Sequence, residues 1–173
     1  LSLARQSVRI SGGQPSGRRQ QRKKAISMLR IYPALSITSS TGLLAVRLVM
    51  GAAFMVHGWP MIQNPMHWMD AFGASAPPPA LQAAGAISEF VGGAAILLGL
   101  LTPLAALGII GTMIAGLAMV HIPHHDPFVG KPGQQSFELA AIYLAVSILL
   151  LLTGPGRWSL DALFFGSRSP SKP

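Results

Sequence analysis

Four long apolar runs dominate the chain, separated by short polar or proline-marked stretches. The first covers about 41–59, TGLLAVRLVMGAAFMVHGW, and meets Pro60. The second covers about 80–101, between Pro77-Pro78-Pro79 and Thr102-Pro103. The third covers 103–122 and stops at Pro123, and the fourth covers 137–153, between Ser136 and Gly154-Pro155-Gly156. At ~1.5 Å per residue each is long enough to cross a hydrocarbon layer of roughly 30 Å as a helix. None alternates apolar with polar positions, so strands are not expected. Proline sits in first turns and just beyond ends, where helix boundaries accept it. The pattern predicts an all-α membrane protein, a four-transmembrane-helix bundle. A very short turn joins spans two and three, which makes them antiparallel neighbours. Trp158, Leu160, Leu163 and Phe164 recur at helical spacing after the last span and predict a short amphipathic helix at the membrane surface.

Composition agrees with a bilayer. Hydrophobic residues make up 50% of the 173 and charged ones 10%, against roughly 25% charged in soluble proteins. A chain so poor in charge cannot cover a water-facing surface, which argues against a soluble enzyme. It has no cysteine, which excludes disulfides, thiolate metal sites and Cys-ligated iron–sulfur clusters.

Charge then orients the bundle. The formal net charge is +8, and eight of the 13 basic residues lie in 1–40: Arg5, Arg9, Arg18, Arg19, Arg22, Lys23, Lys24 and Arg30. Three more, Arg157, Arg168 and Lys172, follow the last span, and the loops 60–79 and 123–136 carry only Lys131. This asymmetry predicts both termini in the cytoplasm. Residues 1–40 read as a basic, disordered tail, 41–165 as the membrane domain and 166–173 as a short C-terminal tail. The tail has few aromatics to interleave with its cations, so nucleic acid is not an expected partner. The chain begins with Leu1, and Met28-Leu29-Arg30 reads as a more natural start; residues 1–27 are expected to come from an over-extended gene start.

Charge inside hydrocarbon is costly, so each ionisable group within the spans needs a reason. Arg47, His57, Glu89 and Glu138 lie in the spans, with His121 at the end of the third. Glu89 is flanked one turn away by Gly85 and Gly93, with Ala84, Ser88 and Gly92 alongside. Small residues let a neighbouring backbone approach, so the carboxyl points into the bundle. There it is either a proton-transferring or ligand-binding acid, or a structural bridge between helices. His57 and His121 can pair with Glu89, relay protons or hydrogen-bond a quinone carbonyl; the plain alternative is a hydrated interface histidine. Together, Glu89, His57 and His121 form a candidate proton or quinone site. Arg47, Glu138 and Tyr143 are weaker binding candidates: Arg47 as a snorkelling anchor or a partner for a carboxylate or lipid phosphate, Glu138 as a helix cap. His121, His124, His125 and Asp126 resemble metal ligands in composition, but Pro123 breaks the helix that would align them, and no metal is expected. No spacing specifies haem ligation.

Several pieces taken in order resemble the DoxX family of small four-helix bacterial membrane proteins. They are Arg47-Leu48, His57-Gly58-Trp59-Pro60, Ile62-Gln63-Asn64-Pro65, Trp68-Met69, Glu89-Phe90-Val91-Gly92-Gly93 and Gly99-Leu100-Leu101-Thr102-Pro103. His121, Asp126-Pro127-Phe128-Val129-Gly130, Phe137-Glu138-Leu139-Ala140 with Tyr143, and Gly154-Pro155-Gly156-Arg157 with Ser159-Leu160-Asp161 continue the match over about 42–165. The resemblance implies a multi-pass protein of the bacterial cytoplasmic (inner) membrane. It implies a quinone-linked or redox-stress oxidoreductase subunit with a protein partner or homo-oligomer in the bilayer; the cofactor is left open, with quinone the candidate. The alternatives are a non-catalytic scaffold that anchors redox or stress proteins and, further off, a small-molecule carrier. The family often carries Lys three residues after the glycine of the His-Gly pair; here that residue is Met61, which weighs against a thiosulfate site.

Overall fold

The computed structural model describes residues 35–165. The expectations for the basic tail before residue 35, for the gene start and for the tail 166–173 lie outside the described residues.

Helix α1 runs over Ile37–Gln63, α2 over Pro79–Leu98, and α3 over Thr102–Gly116 with a π-turn at Leu117–His121. Helix α4 runs over Glu138–Thr153 and α5 over Leu160–Phe164. There is no strand among the described residues. Ile37–Gln63, Pro79–Leu98 and Thr102–His121 are long and apolar enough to cross a membrane, whereas α4 is apolar but has only 16 residues.

Boundaries depart from expectation mainly in α1. It starts at Ile37 rather than near residue 41, because Ser36 caps it: the Ser36 side chain accepts from the Ser39 N–H. It also runs through Pro60 to Gln63. Proline there removes one helical N–H bond and crowds the carbonyl of Val56 one turn back, and the helix continues for a further turn at that cost. Helix α2 ends as its sequence asks, in Gly99 at φ 66. Gly99 N–H bonds to Ile96 O and Leu100 N–H to Ala95 O, the paired bonds of a Schellman ending.

The helices pack in chain order: α1 on α2, α2 on α3 and α3 on α4, while α4 touches α1 only sparsely. Small residues set the α1–α2 approach. A Cβ at Gly58 would lie 2.5 Å from Phe90 N, and one at Gly51 would lie 2.7 Å from Leu97 N. On the other side of α2, a Cβ at Gly108 of α3 would lie 2.9 Å from Ser88 Oγ. Glycine at these positions is what permits so close an approach. The core gathers Leu43, Met50, Phe54, Ile96, Ala106, Ile109 and Leu150. Val49, Val56, Leu104 and Leu152 point outward and exposed, a surface suited to lipid rather than water.

Candidate functional site

Glu89 lies on the face of α2 that also buries Gln82, Ala86, Gly93 and Ile96. The two small-residue stripes beside it serve two neighbours. Gly93 meets Phe54 and Met55 of α1, while Ser88 and Gly92 meet Gly108, Ala105 and Ile109 of α3. Glu89 therefore sits between two close helix contacts, with 9% of its surface exposed. Among the described residues it has no ion-pair partner. A carboxylate left unpaired in such surroundings costs several kcal/mol on the order of a buried ion's desolvation. A proton is the one counter-ion that the group can always carry with it.

His57 lies on the exposed side of α1, one residue before the buried Gly58. His121 closes the π-turn at the end of α3, and its Nδ1 lies 2.8 Å from Asp126 Oδ2. Neither forms an ion pair with Glu89. Glu138 opens α4, where a negative charge suits the helix dipole, but it makes no side-chain cap. Tyr143 packs on Phe54 with ring centroids 4.8 Å apart. With Ala45, Val46, Val49, Met50, Ile142 and Val146 it lines an open apolar groove of about 390 Å³ between α1 and α4. No three His, Cys, Asp or Glu side chains among the described residues converge to hold a metal.

Arg47 has a different place from the snorkelling anchor that its sequence position predicts. It is 1% exposed. Its Nε donates to Ile96 O at 2.9 Å and its Nη2 to Leu97 O at 3.0 Å. Nη1 donates to Pro155 O and Trp158 O, both at 2.8 Å. The cation thus holds the carbonyl end of α2, where positive charge is favoured, and ties it to the segment between α4 and α5. Asp161 does the converse for α3. Its two carboxylate oxygens accept from Leu101 N–H at 2.7 Å and Thr102 N–H at 2.9 Å, capping the positive end of that helix.

Gln82 organises the opposite end of the bundle. Its Oε1 accepts from Met69 N–H at 2.8 Å, and its Nε2 donates to Pro77 O at 3.0 Å and to Asp70 Oδ1 at 3.3 Å. Trp68 Nε1–H donates to Gln82 O at 2.8 Å. The loop after α1, which contains a 3-10 turn at Asp70–Ser75, is stitched by these bonds onto the start of α2. Sequence reasoning passed over Gln82, Asp161 and the Asp126 contact. The one available signal was a polar residue early in an apolar run. For Asp161 it was an acid left spare because Ser159 already caps α5, accepting from Ala162 N–H at 3.1 Å.

The DoxX family model matches residues 42–122. No curated protein and no solved structure matches the chain at a significant level. The matched stretch holds Arg47, the close α1–α2 contact, Glu89 and His121, and over it this membrane protein matches the DoxX family.

Proposed function

We propose that this DoxX-like protein is the membrane subunit of a quinone-linked redox system. Glu89 is its proton-handling acid, and His57 and His121 serve the same head-group site from the long-loop end of the bundle. The observation that carries this reading is the burial of Glu89 between two glycine-mediated helix contacts without an ion-pair partner. A structural carboxylate in hydrocarbon is normally paired; one without a partner is free to exchange a proton with a ligand that gains or loses one. Helix α4 forms the fourth span. The one-sided distribution of Arg and Lys supports both termini in the cytoplasm and the chain in the inner membrane. Electron transfer then needs a bound cofactor or a partner protein, because the chain has no cysteine.

The test is thermal unfolding of the detergent-purified protein with decylubiquinone or menadione, for wild type and Glu89→Gln. A ligand that binds only the folded state adds about 2.7 kcal/mol at 100 times its dissociation constant. The expected result is a rise in wild-type midpoint that Glu89→Gln abolishes, with the midpoint of the unliganded variant close to wild type. A rise that persists in the variant removes Glu89 from the site. No rise with either quinone overturns the redox reading in favour of a scaffold, whose partners would then be sought by co-purification.

A further inference from the structure

The described residues contain two histidine–carboxylate pairs. His67–Asp70 is solvent-exposed, whereas the side chains of His121 and Asp126 keep only 20% and 11% of their surface. The part-buried pair is built by an unusual stretch of backbone. The last turn of α3 widens at Leu117–His121, and Ile122 N–H reaches back to Leu117 O. Such π-turns are rare and concentrate at functional positions. Pro123 then ends the helix, and His125 takes the left-handed conformation at φ 53, which a side chain adopts at some cost. That reversal brings Asp126 back over the helix end. Its N–H donates to His121 O at 3.1 Å while its Oδ2 lies 2.8 Å from His121 Nδ1.

An ionised carboxylate only accepts hydrogen bonds. The hydrogen of the neutral imidazole is therefore on Nδ1, and Nε2 is left with its lone pair. In that neutral form Nε2 accepts and cannot donate. A quinone head group offers two carbonyl oxygens, which are also acceptors; the corresponding hydroquinone offers two O–H donors. We infer that Asp126 positions His121 as an acceptor that selects the reduced, hydroxyl-bearing form of an aromatic head group over its oxidised form. The ligand class rests on the quinone-linked reading above, but the orientation of the ring does not. Asp126 acts here through His121 and is a positioning residue.

The experiment uses the full chain in lipid nanodiscs at mildly alkaline pH. Nitrogen-15 NMR of labelled histidine reads which nitrogen of His121 carries the hydrogen, with His121→Gln assigning the signal. Anaerobic titrations compare decylubiquinol with decylubiquinone. Wild type is expected to show the Nδ1–H tautomer and to bind the quinol about tenfold more tightly, the discrimination of one matched against one mismatched hydrogen bond. In Asp126→Asn the amide can turn its NH₂ toward Nδ1, so the hydrogen moves to Nε2 and the preference falls or reverses. Asp126→Glu, which keeps a carboxylate, is expected to restore both readouts in part. An Nε2–H tautomer in wild type overturns the positioning role whatever binds. An Nδ1–H tautomer with equal or tighter quinone binding overturns the selection. If the tautomer is Nδ1–H and neither form binds, the selection falls together with the quinone-linked reading itself. The wild-type measurements decide each case even if the Asn variant fails to fold.

Discussion

Replacing Arg47 with Met keeps much of the side-chain length and removes the guanidinium. Four carbonyls then lose a donor. Ile96 O retains the Gly99 N–H at 3.1 Å, but Leu97 O, Pro155 O and Trp158 O have no other hydrogen bond of this kind among the described residues. An unsatisfied buried acceptor costs ~1–3 kcal/mol, and breaking a buried charged network by removing one member typically costs ~3–5 kcal/mol. Some water reaches the half-exposed Trp158 segment, so the lower part of the sum applies, and the expected loss is about 3–5 kcal/mol. Arg47→Lys keeps the charge but offers three donors on a point-like ammonium in place of a flat fork. It cannot serve all four acceptors, and the expected loss is roughly half that of Met. Equilibrium unfolding in mixed micelles, followed by tryptophan fluorescence, measures both. If Arg47→Met unfolds within about 1 kcal/mol of wild type, the four bonds do not hold the bundle together. If Lys and Met cost the same, the fork geometry is what matters and the charge contributes nothing.

Two further substitutions probe the other contacts. Gly58→Ala drives a methyl group to 2.5 Å from Phe90 N; the helices must part, and a loss of ~1–3 kcal/mol from overpacking is expected in the same unfolding assay, whereas Gly42→Ala, with open space around it in the same helix, causes no loss and gains up to ~1 kcal/mol of helix propensity. Gln82→Ala removes the acceptor for Met69 N–H and the donor to Pro77 O; limited proteolysis between α1 and α2 is expected to quicken by tenfold or more, matching about 1–3 kcal/mol of lost local stability, and an unchanged cleavage rate would show that the loop is held by other means.

Apolar run length and proline placement carried most of the architecture. The starts of α2 and α4 and the end of α4 fall within a residue of their sequence-based limits. Pro60 misled because a proline costs one helical bond and crowds the preceding turn without always ending the helix, and sequence alone does not say where the chain absorbs that cost for one more turn. The short α5 was legible from Trp158, Leu160, Leu163 and Phe164. Glu89 was legible as a buried acid because its small-residue flanks are local, within five positions. The partners of Arg47 were not legible. They are backbone carbonyls up to 111 residues away, and a carbonyl has no residue-type signature. Asp126 was visible beside His121 in the sequence, yet its contact depends on a π-turn and on a left-handed His125, neither of which side-chain type announces. Gln82 was overlooked for a related reason: one amide in an apolar run reads as noise until the loop folded over it is known.

The bonds of Arg47 also set an order in time. Pro155 and Trp158 lie 108 and 111 residues after it. At roughly 5–20 residues per second of synthesis, the first helix waits on the order of ten seconds before the backbone that closes around its guanidinium exists. During that interval α1 and α2 can already meet, since Gly51, Gly58 and Gly93 require nothing downstream. The bundle is therefore assembled as an early hairpin and finished by its last-made segment, and a chain cut short before residue 155 would leave a cation stranded in its first span.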